Sequence, residues 1–225
     1  MKKFDRHIIL ASKSPRRQFL LKELGLHITI ITKEVDESFP AHLKAQEIPL
    51  YLCEKKAAAF EDELKEDAIV ITADTIVWIN DQVLNKPEDR NDAIRMLKML
   101  SGNRHEVYTG VCFRSKEKKH SFYCRSDVYF KKLSRAEIEF YVDHFKPFDK
   151  AGSYGAQESL PAGMNPCSKE EIEFLTKMNK INLIESSISS TPAGQGNIEV
   201  ERIEGSYFNV MGLPIKEVYE ELHRF

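Results

Sequence analysis

The stretch "AIVITADTIVWI", residues 68–79, decides the fold. Its first six residues, Ala68 to Ala73, carry no charge, and four of them are β-branched. A strand with one face in water alternates apolar and polar residues. An uncharged run of this length is instead the pattern of a strand buried on both faces, as in sheets covered by helices on two sides. The run is expected to end at Asp74-Thr75. Ile76 to Ile79, the turn residues Asn80-Asp81 and Val83-Leu84 then predict a hairpin that leads into Lys86-Pro87.

Upstream, His7 to Ala11 is a short apolar run and predicts a buried strand. Ser14 and Pro15 are the residue types that start a helix, as cap and first helical position, and the helix should run to about Leu24 before Gly25. His27 to Ile31 predicts a second strand. A loop follows through Val35-Asp36-Glu37 and Pro40, and then a helix over Lys44 to Phe60. Downstream, Ala93, Met96, Leu97 and Leu100 recur at helical spacing within Arg90 to Leu100. Glu106 to Arg114 and Ser121 to Lys131 are rich in aromatic and β-branched residues and predict two long strands. Ser134 and Glu137 have the spacing of a capping box. A helix from Ser168 to about Asn179, a strand from Ile198 to Ile203 and a last helix opened by Pro214 complete the pattern. Alternating strands and helices indicate an α/β domain, and the paired central strands indicate a mixed sheet.

With 225 residues, 42% of them hydrophobic, the chain can bury one large core or two small ones. The formal net charge of −2 does not advertise a nucleic-acid surface. Cys53, Cys112, Cys124 and Cys167 form no CxxC pair and have no zinc-like His spacing, so they read as reduced, mostly buried thiols. The apolar run near Ile8 is too short for a signal peptide, and no run approaches the roughly 18 apolar residues of a membrane helix. A cytoplasmic protein is the expectation.

Two arginines, Arg16 and Arg17, stand at the start of the first helix. That is the positive end of the helix dipole, where cations are mildly unfavourable. They either project into solvent, pair with nearby acids, or face an anion docked at the helix start, a polyphosphate above all. Asp74, at the end of a dry strand, suits a general base or metal ligand, or else a helix or turn cap. Glu37 together with Asp74 could hold Mg²⁺, which takes one or two carboxylates and shares its other positions with water and substrate phosphates. Lys56, Lys86 and Lys150 are further cations: Lys56 reads by default as a surface lysine on a helix, Lys86 as a turn lysine, and Lys150 sits on a Gly-containing loop that can bring backbone close to a ligand. His105 reads as a surface residue, and His105-Glu106 does not continue as HExxH. Neither GxxxxGK[ST] nor GxGxxG occurs. The mixture of cations and two acids suits a metal-bound polyphosphate without naming the reaction.

The segments "LASKSPRRQFLLKELG", "EKKA", "TADTIV", "NKPEDRNDAIRMLKMLSGNRHEVYTGV", "DKAGSYGAQ" and "IEGSYFNVMGLPI" name one. In that order they resemble the Maf (septum-formation-inhibitor-like) nucleoside triphosphate pyrophosphatases, over nearly the whole chain. The resemblance implies a fold similar to the inosine-triphosphate pyrophosphatases: an elongated mixed sheet with flanking helices and a cleft between two lobes. It implies cleavage between the α- and β-phosphates, with Mg²⁺ or Mn²⁺. By motif, Asp74 is the proton acceptor; Arg16, Thr75 and Gln157 choose the base; Ser12, Arg17, Lys56 and Lys86 face phosphate; and Glu37, with Asp74, binds the metal. Paired arginines with Thr75 and Gln157 look like the subgroup acting on dTTP and UTP. The alternatives are the subgroup acting on 7-methyl-GTP, or a nucleotide-binding regulator of division and septum formation without catalysis. Ala156 and Glu158 depart from the family's usual residues. About 40 residues separate Gln157 from "IEGSY", where the family has roughly a dozen. Residues 159–197 therefore read as an insertion in a single domain spanning 1–225, serving as a lid, a dimer contact or a surface excursion. The partners expected are the nucleotide and a homodimer mate, with no nucleic acid and no membrane.

Overall fold

The computed structural model describes residues 6–188 and 198–225. Residues 189–197, the end of the expected insertion, lie outside them. Among the described residues the strands are β1 (His7–Leu10), β2 (Ile28–Ile30), β3 (Ala68–Ile79), β4 (Gln82–Leu84), β5 (Arg104–Arg114), β6 (Lys119–Phe130) and β7 (Val200–Gly205). The helices are α1 (Pro15–Glu23), α2 (Glu47–Ala58), α3 (Arg90–Leu100), α4 (Arg135–Phe145), α5 (Lys169–Lys177), α6 (Asn182–Ile188), α7 (Tyr207–Val210) and α8 (Ile215–Arg224). The seven strands form one sheet in the order β2-β1-β3-β5-β6-β7, with β4 on β3. β1 pairs parallel with β2 and β3, whereas β3–β4 and β6–β7 are antiparallel, so the sheet is mixed as expected. No helix among the described residues is long and apolar enough to cross a membrane.

β3 does not stop at Asp74. It runs unbroken for twelve residues, because Thr75, Ile76, Val77 and Trp78 are as β-prone as the residues before them. The reversal comes at Asn80 and Asp81, both with positive φ (51° and 57°), the geometry of a tight hairpin turn. Asp74 and Thr75 are therefore mid-strand residues. α2 begins at Glu47, not Lys44, because Ala45 sits at φ 45°, outside helical space. α1 starts at Pro15 with Ser14 as its cap, and α4 carries the Ser134–Glu137 capping box.

The chain divides into two compact units. One holds the chain up to Thr75, Thr109–Cys124 and Gly212–Phe225. Its core gathers Ile8 and Leu10 from β1, Leu20 and Leu21 from α1, and Ile69 and Ile71 from β3, all at most 1% exposed. The other holds Ile76–Tyr108 and Arg125–Met211. In it α3 packs against α4, and His105 is buried. The surface position expected for His105 is thus corrected. Its ring sits edge-on to Phe130 and Tyr154 and bonds the Tyr154 hydroxyl.

Candidate active site

The first unit assembles Ser12, Arg17, Glu37, Lys56, Asp74 and Thr75 through two devices. The first brings α2 down onto the sheet. Cys53 and Ala57, one helical turn apart, are small enough to pack directly on Cys112 of β5. A Cβ on Gly110 would come within 2.5 Å of the Pro49 carbonyl, so only glycine permits this approach. The Thr72 hydroxyl donates to the Cys53 carbonyl at 2.6 Å and secures the contact from β3. Lys56 is thereby carried to Asp74.

Lys56 Nζ lies 2.5 Å from Asp74 Oδ1 and 2.8 Å from Glu37 Oε1. The Asp74 side chain is only 13% exposed, and burial holds its carboxyl above the usual carboxylate value. The charge and hydrogen bond of Lys56, and the charge of Arg17, oppose that shift without reversing it. A carboxylate with raised proton affinity, kept in place by one ammonium, is equipped to take up a proton.

The second device is Arg17. Ser14 caps α1 and accepts from the Arg17 backbone N–H, which fixes Arg17 in the first turn. Its Nε donates to the Gly212 carbonyl at 2.8 Å, Nη1 to the Ala73 carbonyl at 2.8 Å and Nη2 to Thr75 Oγ1 at 3.0 Å. Thr75 Oγ1 also lies 2.9 Å from Thr109 Oγ1. Gly212 adopts φ 108°, a conformation glycine tolerates and other residues resist. The dipole conflict at the start of α1 is thus met by two carbonyls and a hydroxyl. Burial lowers the Arg17 pKa, and the nearby Asp74 carboxylate opposes it. Ser12 is buried, and its Oγ accepts from the Ser14 N–H at 3.2 Å. Arg16 follows Pro15 on α1, is half-buried and has contacts of its own.

In the second unit Lys86 is exposed, just beyond β4. Gln157 lies in the short turn Ala156–Glu158, and its Nε2 donates to the Ser187 carbonyl. Lys150 is buried, 2.9 Å from Asp149 and 3.7 Å from Glu158. Glu158 also accepts from the Tyr141 hydroxyl at 2.6 Å. Sequence reasoning missed Thr109, Gly212 and Ser187. A glycine ahead of Leu213-Pro214 was a usable sign for Gly212. A threonine in a β-rich run reads only as strand propensity, and a backbone carbonyl leaves no trace in the sequence.

Glu37 and Asp74 both reach one cationic atom, Lys56 Nζ, so their oxygens converge on a point where a cation is accommodated. No group of three or more His, Cys, Asp or Glu residues suited to a metal exists among the described residues. Two carboxylates are what a hard divalent ion takes when water and phosphate fill its other positions, and an ion between them would displace the Lys56 ammonium that pairs with both.

A family model described as "Maf-like protein" matches residues 7–164. A Bacteroides fragilis protein named dTTP/UTP pyrophosphatase is 43% identical over 220 residues, covering 97% of this chain and 96% of that one. A Bacteroides thetaiotaomicron protein of the same name is 42% identical over 218 residues, covering 96% and 95%. The solved structure of the Staphylococcus aureus Ham1 protein matches with a TM-score of 0.42 and 15% identity, covering 82% of this chain and 99% of that chain.

Proposed function

Because this chain belongs to the Maf-like family, we propose that it is a nucleoside triphosphate pyrophosphatase that hydrolyses dTTP and UTP to the monophosphate and pyrophosphate. The observation that carries this reading is the Asp74 carboxylate, buried, raised in proton affinity and clasped by Lys56 beside Glu37. The names and near-full-length identity of the relatives support the substrate class.

In this reading water attacks the α-phosphorus and the bond to the bridging oxygen breaks. Asp74 Oδ takes the proton that the water loses, and pyrophosphate leaves with the electron pair. Glu37 and Asp74 would hold a divalent cation, Mg²⁺ or Mn²⁺, which when bound neutralises phosphate charge and acidifies water. Lys56 and Lys86 offset charge on the phosphates. Arg17 spends three of its N–H groups on the chain and keeps the others for a phosphate oxygen. Ser12 Oγ, already accepting from a backbone N–H, has its own proton to donate to phosphate. Arg16, Thr75 and Gln157 select the base. The enzyme works in the cytoplasm, on free nucleotides, and residues 159–188 belong to the same domain.

The test is a panel of standard and modified triphosphates with Mg²⁺, read by pyrophosphate release. UTP and dTTP should be preferred, and Asp74→Asn should lose roughly 10²–10⁴-fold in kcat. Absence of turnover on every triphosphate would overturn the enzyme reading. Preference for 7-methyl-GTP would overturn the assignment of Arg16, Thr75 and Gln157.

A further inference from the structure

α5 and α6 lie beyond residue 164, where the match to the family model ends, yet they are not a loose excursion. Leu175, Leu183 and Ser187 are fully buried. Glu171, 3% exposed, is part of the capping box of α5 and accepts from the Ser168 N–H at 3.0 Å. It also accepts from Ser206 Oγ at 2.6 Å, Tyr207 N–H at 3.1 Å and Phe208 N–H at 3.3 Å. One buried carboxylate therefore bolts α5 to the start of α7.

α6 packs on the turn that carries Gln157. Its Ser187 is held in turn, with Oγ donating to the Ile184 carbonyl at 2.7 Å. One hydrogen bond between the two runs from Gln157 Nε2 to the Ser187 carbonyl. A backbone carbonyl only accepts, so the NH₂ corner of the Gln157 amide must face it and Oε1 must occupy the other corner. The bond thus settles which way round the amide stands.

That orientation has a chemical consequence. Uracil and thymine present an N3–H donor between two carbonyl acceptors, whereas cytosine presents a bare N3 acceptor beside an amino donor. A freely flipping amide can pair with either edge. An amide with Oε1 fixed as its acceptor corner favours the imide N3–H and leaves the cytosine N3 facing another acceptor, which is costly in a water-poor site.

We propose that the α5–α6 segment is a specificity-positioning element: through the Ser187 carbonyl it fixes the Gln157 amide so that Oε1 accepts from the N3–H of uracil or thymine, and cytosine is rejected. The proposal rests on the reading of Gln157 as a base-selecting residue. The segment acts through Gln157 and does not itself touch the substrate.

UTP and CTP share sugar and phosphates, so the ratio of their kcat/KM values isolates the base edge. It is to be measured for the full chain and for Gln157→Ala, Leu183→Ala and the milder Leu183→Val, with circular dichroism and thermal unfolding to verify folding. Leu183 is buried in α6, so truncating it loosens the seat of Ser187. Gln157→Ala should lower the UTP/CTP ratio by about tenfold or more. Leu183→Ala should lower it by roughly fivefold, mainly through a higher KM for UTP, with CTP unchanged or improved. Leu183→Val should show the same trend, and it carries the test if Leu183→Ala does not fold. A packing role alone would reduce both substrates alike and leave the ratio intact. If Gln157→Ala lowers the ratio while the folded Leu183 variants keep it within about twofold, this proposal falls and the reading of Gln157 stands. If Gln157→Ala leaves the ratio unchanged, the reading of Gln157 falls and takes the proposal with it.

Discussion

Replacing Arg17 by lysine separates what this residue does for the chain from what it does for a substrate. The guanidinium spans three acceptors at once: the Gly212 and Ala73 carbonyls at 2.8 Å and Thr75 Oγ1 at 3.0 Å. Lysine keeps the positive charge near Asp74, but one ammonium cannot reach acceptors that a planar fork reaches from three nitrogens. Two charge-assisted hydrogen bonds are lost. At about 1.5–3 kcal/mol each, discounted because Arg17 is half-buried, the loss is about 2–4 kcal/mol. For a chain of this length that corresponds to a fall in Tm of about 4–16 °C. Thr75 and Asp74 would also be less firmly held, so kcat/KM for UTP should fall in the same variant. Differential scanning calorimetry and a pyrophosphate assay on one preparation measure both. An unchanged Tm with collapsed activity would show that the guanidinium serves the substrate and does not hold the strand, which refutes the reasoning. Unchanged activity with a lowered Tm would remove Arg17 from substrate binding.

Three further expectations follow from other charges. Lys56 holds the Asp74 pKa down against the effect of burial, so in Lys56→Ala the acidic limb of kcat/KM should move to higher pH; a limb that stays put would disconnect Lys56 from the base. Burial pushes the His105 pKa from 6.5 down to about 3, so the folded state refuses a proton that the unfolded state accepts. Its contribution to stability is complete above the unfolded value and is lost as pH falls below it, by about 2 kcal/mol between pH 7 and pH 5 in urea unfolding. His105→Gln should lack that drop, and equal drops in both proteins would contradict the assignment. Glu171→Ala strands the Ser206 hydroxyl and the Tyr207 and Phe208 N–H groups, and should cost about 3–5 kcal/mol by urea unfolding, whereas a cost below about 1 kcal/mol would show that α5 is docked by something else.

Several elements were legible in the sequence because their cause is local. Ser14 and Pro15 start α1, Ser134 and Glu137 start α4, Asn80-Asp81 turn the β3–β4 hairpin, and the apolar spacing of α3 follows from its own residues. Asp74, Lys56 and Glu37 could be singled out as residue types, since two acids and a lysine suit a metal-bound phosphate. Their meeting could not be read, because they are separated by 18 and 37 positions' worth of chain that only the sheet and the α2 contact bring together. α7, with four residues, is too short to show a period.

What the sequence by itself determined is the strands and the longer helices, α6 and α7 excepted, their order and the family to which the chain belongs. These rest on short-range sterics, capping and motif spacing, which act within a few residues. Tertiary structure alone decided that Arg17 is a clamp on β3, that Asp74 pairs with Lys56, and that α6 holds Gln157 by a backbone carbonyl. Each is a contact between distant segments, made by burial and by carbonyl groups that every residue carries, so no residue letter announces it.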